Sequence, residues 1–170
     1  MARVLIIGCG CRGRALAGAL RADGHAVRGT TRARAGAQSL SSDGIEAWVG
    51  DPDRVGSLVN ALDGVTVLCW LLGSAAGSAE ALAALHGPRL QAMLSKTVDT
   101  TVRGVVYEAT GSVDRGTLAG GVAIAQDARE RWEIPVAVLA ADPARHHEWL
   151  VAARTAVNGL LLPEAETALR

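Results

Sequence analysis

RVLIIGCGCRG, residues 3–13, joins a short apolar run to three glycines spaced as G-x-G-x-x-G. An apolar run that ends in glycine predicts a buried strand, here from Arg3 to Ile7. Beyond the glycines, apolar residues recur at helical spacing, which predicts a helix from Arg12 to Asp23 that Gly24 ends. The stretch therefore predicts a strand, a tight turn and a helix at the start of the chain.

Each glycine of this turn has a distinct expected role. Gly8 permits the tight turn, Gly10 lets the backbone approach a pyrophosphate, and Gly13 lets the helix pack on the strand. The N–H groups of the first helical turn, at Cys11 and Arg12, attract phosphates together with the helix dipole. A glycine-rich loop that binds nothing is the alternative, since the chain contains 20 glycines. The position between a strand and a helix favours the dinucleotide site.

Strand-like and helix-like segments alternate along the rest of the chain. This alternation predicts a doubly wound parallel sheet in three α/β/α layers, with strand order 3-2-1-4-5-6 and the ligand at the first and fourth strands. We predict one dinucleotide-binding domain over residues 1–170. The other predicted strands are Ala26–Thr31, Ile45–Val49 after a Gly/Ser-rich loop, Val65–Leu72, Gly104–Ala109 and Pro135–Ala140. The other predicted helices are Asp53–Leu62, Ser78–Thr97 with an interruption near Gly87, Leu118–Trp132 and Pro143–Val157.

Composition and charge exclude several classes of protein. The 17 basic residues balance 17 acidic ones without a basic block, so we expect no nucleic-acid partner. No apolar run reaches the ~20 residues of a transmembrane helix, and Met1 leads directly into a strand rather than a signal peptide. Three cysteines, two of them in one turn, indicate a reducing compartment rather than a disulfide framework. We therefore expect a soluble cytoplasmic protein without a membrane partner.

The end of the second predicted strand favours NADP(H) over NAD(H). An NAD site usually places Asp or Glu about 20 residues beyond the first glycine, where the side chain accepts hydrogen bonds from the ribose. Here the chain has Thr30, Thr31 and Arg32, followed by Arg34, and no carboxylate. Hydroxyl and guanidinium groups suit a 2′-phosphate, which arginine can bind in bidentate fashion. Alternatively, both arginines are simply solvated.

Residues 4–32, VLIIGCGCRGRALAGALRADGHAVRGTTR, resemble the start of an atypical extended short-chain dehydrogenase/reductase of the epimerase-like branch. The resemblance implies that Asp51, which follows Gly50, holds the adenine amino group, and that residues 71–73 line the adenine ribose. Residues 105–107 with Ser112 resemble the fifth strand and its terminal serine, and residues 134–139 resemble the sixth strand. The expected cofactor-binding residues are Gly8, Gly10, Cys11, Arg12, Gly13, Thr30, Thr31, Arg32, Asp51, Leu71, Leu72 and Gly73.

The chain departs from that family in its catalytic residues. Active dehydrogenases and epimerases of the family use Tyr and Lys four residues apart, with a serine on the preceding strand, to move a proton. The only tyrosine here, Tyr107, lies inside the fifth predicted strand, and the only lysine, Lys96, precedes it. Ser112 and Thr110 could keep the serine role but have no partner. The extended enzymes also carry a C-terminal substrate domain, whereas this chain stops soon after its sixth strand.

Other candidate residues have a functional and a structural interpretation. Cys9 and Cys11 lie at a helix N-terminus, which can lower a thiol pKa, so they could form a redox-sensing pair. The favoured interpretation is that both cysteines are small residues that fill the loop. Adjacent His146 and His147 on a helix point about 100° apart, so a solvated or interface face is favoured over a metal site. No metal ion is expected. Trp70 fits a core position and a place near the cofactor equally well.

Three functional hypotheses follow from these observations. We expect an NADP(H)-binding module that acts in cofactor binding or sensing without orthodox catalytic residues. The alternative is an NADP-dependent oxidoreductase or epimerase-like enzyme, acting on a small molecule, whose active site is non-standard or completed by a partner. A third is a structural subunit whose nucleotide only stabilises the fold. Residues 160–162 and the apolar faces of the predicted helices 78–97 and 118–132 lack a covering domain, which predicts a homodimer.

Overall fold

Six parallel strands form a single sheet in the computed structural model, which describes residues 1–162. The strands are β1 (Arg3–Ile7), β2 (Ala26–Thr31), β3 (Glu46–Val49), β4 (Val67–Trp70), β5 (Gly104–Glu108) and β6 (Val136–Leu139). The α-helices are α1 (Cys11–Ala22), α2 (Arg34–Ser42), α3 (Ala79–Leu85), α4 (Pro88–Thr97), α5 (Arg115–Trp132) and α6 (His146–Leu161). The strand order β3-β2-β1-β4-β5-β6 confirms the doubly wound sheet that the sequence predicts.

The direction of winding changes between β1 and β4, which pair directly. Val4 lies opposite Val67 and Ile7 opposite Trp70. From this point the chain moves outward through β2 and β3 on one side and through β5 and β6 on the other. In such sheets the ligand binds in the crevice at the carboxyl ends of the two central strands. The glycine-rich turn follows β1 at this crevice.

Helices cover both faces of the sheet and give the expected three layers. Because the chain has no phenylalanine, the core on each face is mainly aliphatic. Helices α1, α2 and α6 bury residues such as Leu16, Leu40 and Ala153 against one face. Helices α3, α4 and α5 bury residues such as Leu85, Met93 and Ala125 against the other. The one-domain extent over residues 1–170 stays a prediction.

The prediction of a Gly/Ser-rich loop before the third strand is wrong. Residues 34–42, RAGAQSLSS, form α2, which packs against β2 and β3 through a single buried residue, Leu40. Glycine and serine are weak helix formers, so the propensity of this segment does not predict a helix. Tertiary packing of the one leucine outweighs that propensity.

The predicted helix Asp53–Leu62 is also wrong in its type. The segment forms two short 3₁₀-helices, Val55–Ser57 and Val59–Leu62, with Leu58 between them. Gly56 and Ser57 weaken an α-helix here, while Leu58 and Leu62 are nevertheless buried. The other predicted elements are present with shifted ends, and the interruption near Gly87 is confirmed because α3 ends at Leu85 and α4 begins at Pro88.

The apolar residues that are expected to lack cover are mostly covered within the chain. Leu160 and Leu161 pack partly buried against the core, and α4 and α5 pack against each other. Of the predicted interface residues in the tail, Leu162 is exposed. The premise for a homodimer is therefore wrong for most of these residues, and the homodimer itself stays a prediction. Within residues 1–162, no helix is both long and apolar enough to cross a membrane.

Candidate functional site

Two of the three glycines in the turn after β1 are required by the fold itself. Gly8 has φ +93°, in the left-handed region, and a side chain on it would collide with the carbonyl oxygen of Leu71. A Cβ on Gly13 would lie 2.8 Å from the carbonyl oxygen of Gly8. A side chain at either position would therefore push apart the strand, the turn and the helix.

Gly10 differs from these two glycines because the fold has no need of it. Its φ of −81° suits any residue, and a Cβ there would meet nothing within 4 Å. Gly10 is the N-cap of α1, without a side-chain cap, and the first turn of α1 contains no acidic residue. The open space and the uncapped N–H groups together suit a phosphate at this helix end.

A cavity of about 110 Å³ lies at this turn. Small-molecule sites usually enclose about 300–1,000 Å³, so this cavity has room for the phosphate part of a dinucleotide and not for its nucleosides. Six of the predicted cofactor-binding residues line the cavity, together with two that the sequence analysis did not place there: Gly8, Gly10, Cys11, Arg12, Gly13 and Leu71, with Glu108 and Trp149.

The two unexpected residues form a buried polar contact behind the turn. Glu108 ends β5, Trp149 lies in α6, and each is only 1% exposed. The Trp149 Nε1–H donates to Glu108 Oε2 at 2.9 Å, and the backbone N–H of Gly73 donates to Glu108 Oε1 at 2.8 Å. The carboxylate therefore joins β5 to α6 and to the loop after β4. No motif in the sequence pairs Glu108 with another residue, so only the structure reveals this contact.

Arg12 lies at the entrance to this buried contact. Its guanidinium carbon lies 5.7 Å from the centre of the Trp149 ring, within the range of a cation–π interaction. Its Nε is buried and has no hydrogen-bond partner among the described residues. A buried donor without a partner is uncommon in folded proteins. This donor, next to the cavity at the turn, is suited to an anionic ligand.

Burial raises the pKa of the Glu108 carboxyl above its ordinary value. The hydrogen bonds from Gly73 and Trp149, and the charge of Arg12, act in the opposite direction and lower that pKa. The charged carboxylate is therefore disfavoured by its surroundings, and an anion bound at the turn would disfavour it further.

The end of β2 presents a second, more exposed part of the candidate site. The Thr30 hydroxyl is buried and donates to the carbonyl oxygen of Ile6 at 3.5 Å. The Thr31 hydroxyl donates to the carbonyl oxygen of Ala33 at 3.2 Å. Arg32, whose side chain is 56% exposed, pairs with Asp51 and Asp53, with closest N–O distances of 3.5 Å. The structure thus brings Arg32 and Asp51 together, and Thr30 faces β1.

Arg34 is the first residue of α2, immediately beyond this strand end. It is exposed and forms no ion pair within residues 1–162. Helix α2 has neither a side-chain cap nor an acidic residue in its first turn. Arg34 and the uncapped N–H groups of α2 therefore lie at the same end of the helix, close in sequence to Thr31 and Arg32.

The remaining predicted residues lie on the loops after β3 and β4. The backbone N–H of Asp51 donates a hydrogen bond to the Ser57 hydroxyl oxygen at 2.8 Å. Leu72 and Gly73 are buried, and a Cβ on Gly73 would lie 2.8 Å from Glu108 Oε1. The glycine therefore permits the close approach of this loop to the Glu108 carboxylate.

The two cysteines of the turn have different surroundings. Cys9 is half-buried, and burial raises the pKa of its thiol to about 11. Cys11 is exposed and lines the cavity at the turn. At neutral pH the Cys9 thiol is protonated and is a poor nucleophile. This favours the interpretation of Cys9 as a small loop residue.

The chain's single tyrosine is used in the core. Tyr107 is fully buried in β5, and its hydroxyl lies 2.8 Å from His86 Nδ1 and donates to the carbonyl oxygen of Leu118. Burial raises the pKa of the Tyr107 hydroxyl and lowers that of His86. A Cβ on Gly121 would collide with the Tyr107 hydroxyl, so α5 approaches β5 closely here. Tyr107 does not line the cavity at the glycine-rich turn.

Trp70, His146 and His147 are the remaining candidates for the site. Trp70 is fully buried in the core, on the side of the sheet covered by α4 and α5, and does not line the cavity at the turn. His146 and His147 are exposed at the start of α6. Within residues 1–162, no group of three His, Cys, Asp or Glu side chains is close enough together to hold a metal ion.

Comparison with known proteins gives a structural likeness without a sequence match. No family model matches the chain, and no curated protein matches it. UDP-glucuronic acid 4-epimerase from Bacillus cereus, in complex with NAD, is 16% identical over 82% of this chain and 56% of its own, with a TM-score of 0.66. Triphenylmethane reductase from Citrobacter sp., complexed with NADP(H), is 21% identical over 80% of this chain and 48% of its own, with a TM-score of 0.59.

UDP-N-acetylglucosamine 4-epimerase from Bacillus cereus is a third neighbour, 14% identical over 81% of this chain and 53% of its own, with a TM-score of 0.63. The chain thus spans about half the length of these three proteins. At such low identity the likeness is one of fold. The resemblance of residues 4–32 to the epimerase-like short-chain dehydrogenases is confirmed at that level: the chain has the Rossmann-type fold of these epimerases and reductases.

Proposed function

We propose that the protein binds NADP(H) across the crevice between β1 and β4. The proposal is carried by one observation at Gly10. The fold does not require a glycine at this position, yet the missing side chain leaves open space at an uncapped helix N-terminus. Because packing does not explain a glycine here, the open space fits a close approach of the pyrophosphate to the backbone. The buried Nε of Arg12, next to the same cavity, supports an anionic ligand there.

The 2′-phosphate of NADP(H) would lie at the junction of β2 and α2. No carboxylate ends β2, and the residues that follow are Arg32 and Arg34. Arg34 has no acidic partner within residues 1–162, whereas Arg32 shares its charge with Asp51 and Asp53. This arrangement favours Arg34 as the main phosphate contact, with Arg32 beside the adenine and Asp51 accepting from its amino group.

We further propose that the protein is a cofactor-binding or sensing module rather than an orthodox reductase. The proton donor of the enzymes that the chain resembles is a tyrosine four residues away from a lysine, and the only tyrosine here is buried in the core. Its hydroxyl already has partners in His86 and Leu118. General acid–base assistance contributes a factor of about 10² to 10⁴. Without it, we expect at most trace reduction of aldehydes, ketones or sugar nucleotides by NADPH.

A non-standard oxidoreductase is the second candidate function. The observation that favours it is a cavity of about 750 Å³ beyond β5 and β6, large enough for a small substrate. Robust turnover of any aldehyde, ketone or sugar nucleotide with NADPH would establish this candidate and contradict the module. A partner chain that supplies Tyr or Lys would have the same consequence.

Mass spectrometry of nucleotide released from the purified protein tests the cofactor directly. The expected species is NADP⁺ or NADPH, and calorimetric titration should show tighter binding of NADPH than of NADH. Equal affinity for both cofactors would contradict the 2′-phosphate site. Failure to bind either would contradict the proposed function as a whole.

Assembly and location belong to the same proposal. The three free thiols fit a reducing cytoplasm. A homodimer remains proposed, with Leu162 as one exposed apolar residue at the end of α6. Light scattering at micromolar concentration should give twice the mass of the chain, and a monomeric mass would contradict the dimer.

A further inference from the structure

A second cavity of about 750 Å³ lies beyond the carboxyl ends of β5 and β6. Its walls come from the loop after β5, the loop after β6 and the first residues of α5 and α6. Its volume falls within the range of about 300–1,000 Å³ that small-molecule sites usually have. Arg12 lines both this cavity and the smaller one at the glycine-rich turn, so the two cavities are neighbours.

Basic side chains predominate in the lining of this second cavity. Arg12, Arg115 and His146 line it, whereas Asp142 is the only acidic residue that lines it among residues 1–162. The Asp142 Oδ1 atom already accepts a hydrogen bond from the backbone N–H of Ala144 at 2.9 Å. Because the whole chain has a formal net charge of zero, this excess of basic side chains is local.

The two arginines of the cavity lack acidic partners. Neither Arg12 nor Arg115 forms an ion pair within residues 1–162, although nine ion pairs occur elsewhere in that part of the chain. A guanidinium group binds carboxylate and phosphate through paired N–H donors. Two such groups at one cavity therefore favour an anionic ligand.

Apolar residues form one part of the remaining wall, and Ser74, Thr110 and Ser112 form a polar part. Leu118, Pro143, Ala109 and Ala140 line the same cavity. A site with a few charged groups and an apolar wall suits a ligand with an anionic head and a small apolar body. Neither a fully polar ligand nor a neutral apolar one would use both parts of the lining.

We infer that this cavity binds a small organic anion, a carboxylate or a phosphate ester, with Arg115 and Arg12 holding the anionic group. In a doubly wound sheet the two halves of a dinucleotide lie on either side of the central crevice. With the 2′-phosphate end at β2, the nicotinamide half extends toward β5 and this cavity. The anion is thus the second ligand of the proposed NADP(H) site, and its place beside the nicotinamide rests on the proposed function.

Calorimetry with phenyl phosphate and benzoate, and with neutral benzyl alcohol as the uncharged control, tests the inference. Both the cofactor-free protein and the protein saturated with NADP⁺ are titrated. We expect saturable binding of at least one anion in both states and no measurable binding of benzyl alcohol. Binding of phenyl phosphate alone would assign the site to phosphate esters, and binding of benzoate alone would assign it to carboxylates.

Variants on a single helix separate this site from the cofactor site. Arg115→Gln should weaken anion binding by about tenfold, because a charge-assisted hydrogen bond from an exposed arginine is lost. Arg129→Gln, an exposed arginine of α5 that does not line the cavity, should leave anion binding unchanged. Both variants should bind NADP⁺ as the unsubstituted protein does.

Three results would overturn the inference: no anion binding in either state, unchanged anion affinity in Arg115→Gln, or complete displacement of the anion by NADP⁺. The last would place the anion at the glycine-rich turn instead. Anion binding that depends on Arg115 in a protein that fails to bind NADP⁺ would retain the anion site and contradict only the proposed cofactor. The two proposals can therefore fail separately.

Discussion

At the glycine-rich turn, buried side chains support the candidate site, whereas at the end of β2 the charged side chains are largely exposed. Glu108 and Trp149 are each 1% exposed, while the side chain of Arg32 is 56% exposed. Electrostatic interactions are strong where water is excluded and weak where the groups are solvated. A substitution that blocks the turn should therefore change cofactor affinity more than the loss of one exposed arginine at the end of β2.

The two regions should also have different effects on the affinity for a cofactor and on the selectivity between NADP(H) and NADH. NADP(H) and NADH share the pyrophosphate that the turn would hold, and they differ only in the 2′-phosphate. The turn should consequently decide whether either cofactor binds, and the β2–α2 junction should decide which one binds better.

Gly10→Val should have the largest effect and abolish binding of both cofactors. The branched side chain would fill the space where the backbone is proposed to approach the pyrophosphate. Because a Cβ at Gly10 meets nothing within 4 Å, the folded structure should persist. Calorimetric titration with NADPH and NADH, alongside thermal unfolding, would measure both effects.

Gly18→Val is the matched control for this substitution. Gly18 lies in the same helix, and its Cβ would also meet nothing within 4 Å. This variant should bind both cofactors normally. Gly13→Val should instead unfold at a lower temperature, because a Cβ there would lie 2.8 Å from a backbone oxygen. Normal cofactor binding by Gly10→Val would show that the turn does not hold the pyrophosphate.

The sequence predicts the turn well because its determinants are local. Strand, glycines and helix lie within residues 3–22, and the packing roles of Gly8 and Gly13 follow from their places in the motif. The buried contact behind the turn is different. Glu108 and Trp149 are separated by 41 residues, and Glu108 and Gly73 by 35. Their pairing depends on which helix covers which face of the sheet, and no local pattern records that.

The β2–α2 junction could be predicted only in part. The absence of a carboxylate and the presence of two arginines follow from the sequence alone. The pairing of Arg32 with Asp51 and Asp53 does not, because it depends on the register of β2 against β3. Helix α2, whose N-terminus lies at this junction, is not predicted from the sequence because the segment has poor helix propensity.

Arg34→Ala should lower NADPH affinity by about tenfold and leave NADH affinity unchanged. One charge-assisted hydrogen bond contributes roughly 1.5–3 kcal/mol, and about 1.4 kcal/mol corresponds to a factor of ten. The lower end of this range applies because Arg34 is exposed. Arg32→Ala should weaken NADPH binding less, since Asp51 and Asp53 already share its charge.

Arg131→Ala, an exposed substitution on α5, controls for the loss of one positive charge from the chain. It should change neither affinity. If Arg34→Ala weakens NADPH and NADH binding equally, the arginine acts on a part that both cofactors share. If neither Arg32→Ala nor Arg34→Ala changes NADPH affinity, the assignment of NADP(H) is wrong even though the fold is right.

Glu108→Gln should have the smallest effect, and the effect should depend on pH. Burial raises the pKa of Glu108 in the folded protein above its ordinary value of 4.5. The folded state therefore binds this proton more tightly than the unfolded chain does. The contribution of Glu108 to the free energy of unfolding is then most favourable below that ordinary pKa, and it is lost as the pH rises through the folded-state pKa.

Cofactor binding should follow the same direction, because phosphates at the turn disfavour a charged Glu108. Affinity for NAD⁺, which lacks the titrating 2′-phosphate, should fall as the pH rises, and this fall should be smaller in Glu108→Gln. The change should stay below tenfold, since Arg12 offsets part of the repulsion and about tenfold corresponds to one full pKa unit of coupling. Glu80→Gln, an exposed substitution in α3, should keep the pH dependence of the unsubstituted protein. Identical pH profiles for Glu108→Gln and the unsubstituted protein would show that the buried carboxylate only holds α6 in place through Trp149 and does not act on the ligand.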